Sequence, residues 1–136
     1  MKTYFLDTNL LLRYLLGDNE VQLTKIKKFF KQAQHQQIKF KISSPVIPEL
    51  EYVMRKVYSI PRQKIADTLI SLLKTEILNF EQRSLWIETF DFYSKVNADP
   101  VDIFIFLQSR HENAQVLTFD QDFIKISRTY RSLHQS

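Results

Sequence analysis

A repeated change of period constrains this chain most. Short apolar runs end on polar residues and pass at once into helix-period sequence. Lys2 to Leu6 has the composition of a buried strand, closes on Asp7-Thr8-Asn9, and is followed directly by the leucines of Asn9 to Leu16. Gly17 stands where a left-handed C-terminal cap ends a helix. Asn19 with Gln22 resembles a capping box opening a second helix, whose Val21, Leu23, Ile26, Phe29 and Phe30 fall at helical spacing. The run "IKFKIS" then alternates Ile38, Phe40 and Ile42 against Lys39, Lys41 and Ser43, the period of a half-buried strand.

The alternation continues to the C-terminal part. Leu50, Val53, Met54 and Val57 mark a helix that begins near Pro45 and Pro48, and "IPRQKIADTLISLLK" is amphipathic with Pro61 near its start. "EILNF" reads as a short strand and "SLWIETFDFYSK" as a helix. Ile103 to Leu107 fit a buried strand or a buried helix. Pro100 at a first-turn position and the polar tail favour the helix. "QVLTFD" reads as a last buried strand. Strands alternating with helices predict an α/β fold with a mainly parallel sheet and right-handed connections. At 136 residues, 44% of them apolar, a single domain over 1–136 is expected.

Absences narrow the chemistry. With no Cys, thiol nucleophiles, disulfides and cysteine zinc sites are excluded. With one Gly, neither a P-loop nor a dinucleotide-binding glycine turn can be written. The N-terminus lacks a signal-peptide pattern, and "LLLRYLL" is too short for a membrane span, so a cytoplasmic protein without a membrane partner is the expectation. The net charge of +4 is compatible with a polyanionic partner without specifying one.

In parallel α/β sheets, sites form where strands end and helices begin. Asp7, Glu49, Asp102 and Asp120 all stand at such junctions, from segments far apart in sequence. Each has a local structural explanation. Asp7 or Asn9 can cap the following helix, and Glu49 suits a first turn. Asp99, Pro100 and Asp102 fit N-cap, N1 and N3, and Asp120 fits a turn. Gathered together, however, carboxylates repel and need neutralising. A hard divalent cation does this, and an oxygen-ligated Mg²⁺ or Mn²⁺ also activates water for attack on phosphorus.

The sequence resembles PIN-domain ribonucleases, specifically VapC-type toxins of bacterial type II toxin–antitoxin pairs. "FLDTNLLLRYLLGDN" is similar to the family's opening, "PELEYVMRKVYSIPRQKIADTLISLL" to its central block, "ADPVDIFIF" to its paired-aspartate helix start and "VLTFDQDF" to its closing turn. The resemblance implies a PIN-like three-layer domain with helices flanking the sheet. It implies Asp7, Glu49, Asp102 and Asp120 as a catalytic and metal-binding quartet, Asp99 as an accessory ligand or a cap, and Asn9 and Thr118 as orienting groups. It further implies an endoribonuclease dependent on Mg²⁺ or Mn²⁺ that cuts RNA such as tRNA or rRNA, a homodimer, and a cognate antitoxin as protein partner.

The chain departs from the family pattern at Pro48, before Glu49, and at Phe104 and Phe106, where small residues are usual. Arg13, Arg55 and Lys56 are the candidate RNA contacts, against a salt bridge for Arg13 and a solvated face for the other two. His35, His111 and His134 read as surface residues. A catalytically inactive PIN-like RNA-binding or scaffold module is the alternative. A haloacid-dehalogenase-type phosphatase is disfavoured because Asn9 stands where a second Asp is needed.

Overall fold

A computed structural model describes residues 1–135. Among them the order is β1 (Lys2–Phe5), α1 (Thr8–Leu16), α2 (Glu20–Gln34), β2 (Ile38–Ile42), α3 (Val46–Lys56), α4 (Arg62–Leu73), β3 (Leu78–Phe80), α5 (Arg83–Tyr93), α6 (Pro100–His111) and α7 (Asp122–His134). The three strands pair in parallel in the order β1-β2-β3, with Tyr4 opposite Phe40 and Phe40 opposite Leu78. The fold is α/β, a parallel sheet flanked by helices, as the change of period predicts.

The pleat sorts the sheet's two faces. Phe40, Ile42, Leu78 and Phe80 are buried, with Leu6 just past β1, whereas Thr3, Phe5, Lys39, Lys41 and Asn79 are exposed. Two strand expectations are corrected. β1 is an edge strand rather than a buried one, and Phe5 is 67% exposed. "QVLTFD" forms no strand: Leu117 and Phe119 are fully solvent-exposed, at 102% and 104%. Apolar alternation makes a strand only when a neighbour supplies the ladder. The two ends of this segment are held elsewhere, by α6 before it and by α7 after it.

Local signals end the helices as the sequence predicts. Asp7 caps α1 by accepting from Leu10 N–H at 2.9 Å. Gly17 closes it at φ +62°, a conformation that costs a residue with Cβ about 1 kcal/mol. Asn19 accepts from Gln22 N–H at 3.0 Å at the start of α2. α3 starts at Val46 with Pro45 as its N-cap, so Pro48 falls within the first turn, where backbone N–H groups have no helical partner in any case. Glu49 is therefore a first-turn residue.

Helix-on-helix packing surrounds α6. Phe104 stacks on Trp86 with centroids 4.2 Å apart, and Phe106 meets Tyr130 of α7 edge-on at 5.4 Å. These are the large residues at which the chain departs from the family pattern, and both fill helix–helix contacts. Ile126 anchors α7 with no exposed surface.

A buried polar network ties α3 and α4 to the approach of α6. Glu51 is 1% exposed and accepts from the Tyr93 hydroxyl at 2.5 Å and from Arg55 Nε at 2.8 Å. The Arg62 guanidinium lies 3.5 Å from the Tyr93 ring centroid and donates to the carbonyls of Tyr93, Val96 and Ala98 at 2.8–3.3 Å. Burial and the Glu51 charge push the Tyr93 hydroxyl well above its usual pKa, while desolvation lowers that of Arg62.

Candidate metal centre

The loop held by Arg62 ends at Asp99, which caps α6 by accepting from Val101 N–H at 2.8 Å. Pro100 then takes the first helical position, where its missing N–H costs nothing. This start places Asp102 in the first turn of α6, half-buried. Across from it lies the entry to α7, built from two side-chain-to-backbone turns. Thr118 Oγ1 accepts from Asp120 N–H, and Asp120 Oδ1 accepts from Asp122 N–H, each at 2.9 Å.

Asp102, Asp120 and Asp122 each bring a carboxylate oxygen to within 4.8 Å of the other two. Burial, first, and then the charges of Asp99, Asp120 and Asp122 raise the Asp102 pKa above the usual carboxylate value. The donors of the group are all hard oxygens, with Asp102 half-buried and Asp120 and Asp122 exposed. A divalent cation that prefers oxygen ligands and keeps several waters fits that donor set. The helix N-termini alone do not neutralise three carboxylates, since each contributes about half a positive charge.

The structure thus brings together two of the four acids singled out in the sequence, Asp102 and Asp120, and adds Asp122. Asp122 is not among the sequence candidates, which in the last strand-like run stop at Asp120. The signal was present in "FDQDF", an acid spaced two residues beyond the first at a helix start. Among the described residues, Asp7 and Glu49 stand outside this group. Both are exposed, Asp7 as the cap of α1 and Glu49 in the first turn of α3. Asp99 uses a carboxylate oxygen as a helix cap and lies outside the group too.

Asn9 is exposed at the start of α1 and lines an apolar hollow of about 290 Å³ with Arg13, Lys25 and Phe29. Arg13 Nη1 bonds both oxygens of Asp18 at 3.1 Å, a partner just past its own helix rather than a carboxylate of the candidate centre. That bond raises its pKa. Arg55 is engaged by the buried Glu51, and Lys56 is exposed at the end of α3. His111 is exposed and meets Glu88 at 2.7 Å.

A cleft of about 470 Å³ opens between α6, α7 and the segment that joins them, and none of the three aspartates lines it. Arg110, Arg128 and Arg131 line it together with Thr118 and Ser109. These arginines were also missed, because their alignment requires α7 to lie along α6, which no local sequence signal reports. Among the described residues no helix is long and apolar enough to cross a membrane.

The family model of the PIN domain matches residues 4–129. The chain is 27% identical over 122 residues to a protein named VapC ribonuclease from Aquifex aeolicus (strain VF5), covering 89% of this chain and 90% of that one. No solved structure gives a significant match.

Proposed function

We propose, from the premise that this chain belongs to the PIN domain family, that it is an endoribonuclease dependent on Mg²⁺ or Mn²⁺. We assign it further as the toxin of a toxin–antitoxin pair. The observation that carries the chemistry is the convergence of Asp102, Asp120 and Asp122 within 4.8 Å at the starts of α6 and α7. The similarity to a relative named VapC ribonuclease supports RNA as substrate and an antitoxin as partner.

Asp102, Asp120 and Asp122 would hold the cation, and Asp7 and Glu49, which stand outside that group, are the further catalytic acids that the family resemblance assigns. When bound, the cation lowers the pKa of a water and stabilises charge developing on the phosphate and the leaving oxygen. The chain's own residues set the geometry around it. Asp99 fixes the first turn of α6, so Asp102 projects from a rigid element. Thr118 holds the backbone turn that aims Asp120. Asp7 keeps one oxygen on Leu10 N–H and has its other oxygen available as a donor. Arg110, Arg128 and Arg131 hold RNA phosphates along the cleft, with the exposed Lys56 as a further contact.

The test is cleavage of total RNA by the purified chain, with end mapping of the products. Cleavage is expected with Mg²⁺ or Mn²⁺, is abolished by EDTA, and falls at least about 100-fold in Asp102→Asn. Cleavage indifferent to both EDTA and Asp102→Asn refutes the reading. The separation of Asp7 and Glu49 from the three aspartates favours one alternative, a module that binds RNA without cutting it. Cation-dependent RNA binding without any cleavage would establish that alternative. For the toxin role, growth arrest on expression, relieved by the product of the adjacent gene, is the expected result. Harmless expression refutes that role.

A further inference from the structure

The outward face of α3 is a stripe rather than a scatter. Its buried residues are Ile47, Leu50, Glu51 and Met54, which leaves Glu49, Tyr52 and Lys56 in water at i, i+3 and i+7. Neighbours three or four apart on a helix lie about 5–6 Å from each other between Cβ atoms. Tyr52 is 54% exposed and stands one turn along from Glu49, a catalytic acid of the nuclease reading. A lone exposed aromatic needs no explanation. This one has a cation set beside it: the Arg55 guanidinium carbon lies 5.7 Å from the Tyr52 ring centroid.

Arg55 is aimed from beneath. Glu51 is a carboxylate in the buried stripe of the helix, whose other members are apolar. Burying it is costly unless it is paired. Its Oε2 accepts from Arg55 Nε at 2.8 Å and from the Tyr93 hydroxyl at 2.5 Å, and its Oε1 lies 3.4 Å from Arg55 Nη2. Glu51 thus holds one side edge of the guanidinium. Nη1 has no hydrogen-bond partner among the described residues, and the Arg55 side chain is 33% exposed. A planar fork with one edge anchored and the other open matches a phosphate. Glu51, first by its hydrogen bond, and Asp99, last, raise the Arg55 pKa, so the guanidinium also feels the start of α6.

An aromatic face beside an anchored cation has the chemistry to bind one nucleotide. The ring stacks on the base, and the cation takes the phosphate. The neighbours of Tyr52 along the stripe are an acid at one end and cations at the other, which suits a polyanion better than an apolar protein surface.

We propose that α3 carries a nucleotide-binding strip, in which Tyr52 stacks on an RNA base and Arg55, held by Glu51, takes the adjoining phosphate. Lys56 continues the strip toward the end of the helix. The placing of that nucleotide beside a cut rests on the nuclease reading above, whereas the strip itself does not.

Binding is measured in EDTA, where no cation supports cleavage. The probe is a fluorescein-labelled polyadenosine oligonucleotide, and inorganic polyphosphate is the competitor that carries charge without bases. Tyr52→Ala is expected to weaken polyadenosine binding by about 5- to 150-fold, the range for one lost base stack, and to leave the polyphosphate inhibition constant where it was. Tyr52→Phe keeps the aromatic face and should recover most of the loss, whereas Tyr52→Leu should not. Arg55→Gln keeps a donor for Glu51 and removes the charge. It should weaken both ligands and lower the salt slope of RNA binding by about 0.7. Wild-type affinity for polyadenosine in Tyr52→Ala, or an equal loss of polyphosphate, overturns the proposal. So does a wild-type dimer that Tyr52→Ala converts to a monomer in sedimentation, since the ring would then lie between copies.

The two readings fail separately. The expected binding pattern in a protein that cleaves no RNA with Mg²⁺ or Mn²⁺ leaves the strip standing and refutes the nuclease reading. Cleavage that keeps the wild-type KM in Tyr52→Ala leaves the nuclease reading standing and overturns the strip.

Discussion

Replacing Arg62 with alanine tests how the acids of α6 are held. Arg62 Nη2 approaches the carbonyls of Tyr93, Val96 and Ala98 at 3.0, 3.0 and 2.8 Å, and Nε approaches Tyr93 O at 3.3 Å. Nη2 carries two hydrogens for three acceptors, so one bond is shared, and the Nε contact is long. Two net bonds from a charged donor are worth about 3 kcal/mol at the lower end of their range. The guanidinium over the Tyr93 ring adds about 1 kcal/mol. Against this stands the cost of half-burying a cation, which alanine relieves and which takes back about 1–2 kcal/mol. A net loss of about 2–3 kcal/mol follows. With about 2.1 cal/mol/K per residue, that lowers Tm by roughly 7–10 °C. Urea unfolding gives the free energy and calorimetry the Tm. Amide exchange should rise between Tyr93 and Asp99, where the carbonyls lose their donor. Arg62→Lys keeps the charge but cannot span three carbonyls and the ring, so it should restore less than half of the loss. A loss below about 0.5 kcal/mol in Arg62→Ala, or full rescue by lysine, refutes the reasoning.

Tyr93→Phe should cost about 1–2 kcal/mol at neutral pH, because Glu51 loses the hydroxyl donor at 2.5 Å while keeping Arg55. It should also change the alkaline limb of the stability curve. The Tyr93 pKa is raised in the folded state, so its contribution is complete below the unfolded pKa near 10 and is lost as pH rises through the higher folded value. The wild type should weaken above about pH 10 more steeply than the variant, and parallel slopes would refute the assignment. Gly17→Ala should lower stability by about 1 kcal/mol through the left-handed backbone alone, since the added Cβ would meet Leu23 Cδ2 at an ordinary 3.8 Å. A variant at least as stable as the wild type in thermal denaturation counts against the strain at that position.

What was legible in the sequence was local. Asp7 to Leu10, Asn19 to Gln22 and Asp99 to Val101 each bond across two or three residues, and each was readable as a cap. The strands of the sheet were readable too, because Phe40 and Ile42 alternate against lysines wherever the partner strand lies. The last strand-like run failed for the complementary reason. "QVLTF" has the right alternation, but its pairing depends on where α6 and α7 leave it. Long-range polar contacts were invisible: Tyr93 meets Glu51 across 42 residues, and Arg62 reaches Ala98 across 36. The candidate centre lies between these cases. Asp102 and Asp120 stood out as junction acids, whereas Asp122 needed the turn at Asp120 to bring it into the group.

The sheet also sets a timetable. All three strands lie between Lys2 and Phe80, whereas Asp102, Asp120 and Asp122 belong to the later part of the chain. At ribosomal speeds of about 5–20 residues per second, the 40 residues from Phe80 to Asp120 take roughly 2–8 s to add, ample for strands to pair. A nascent chain thus owns its scaffold well before it owns its acids. Synthesis that stops short of Asp120 yields a chain with all three strands and only one of the three clustered aspartates.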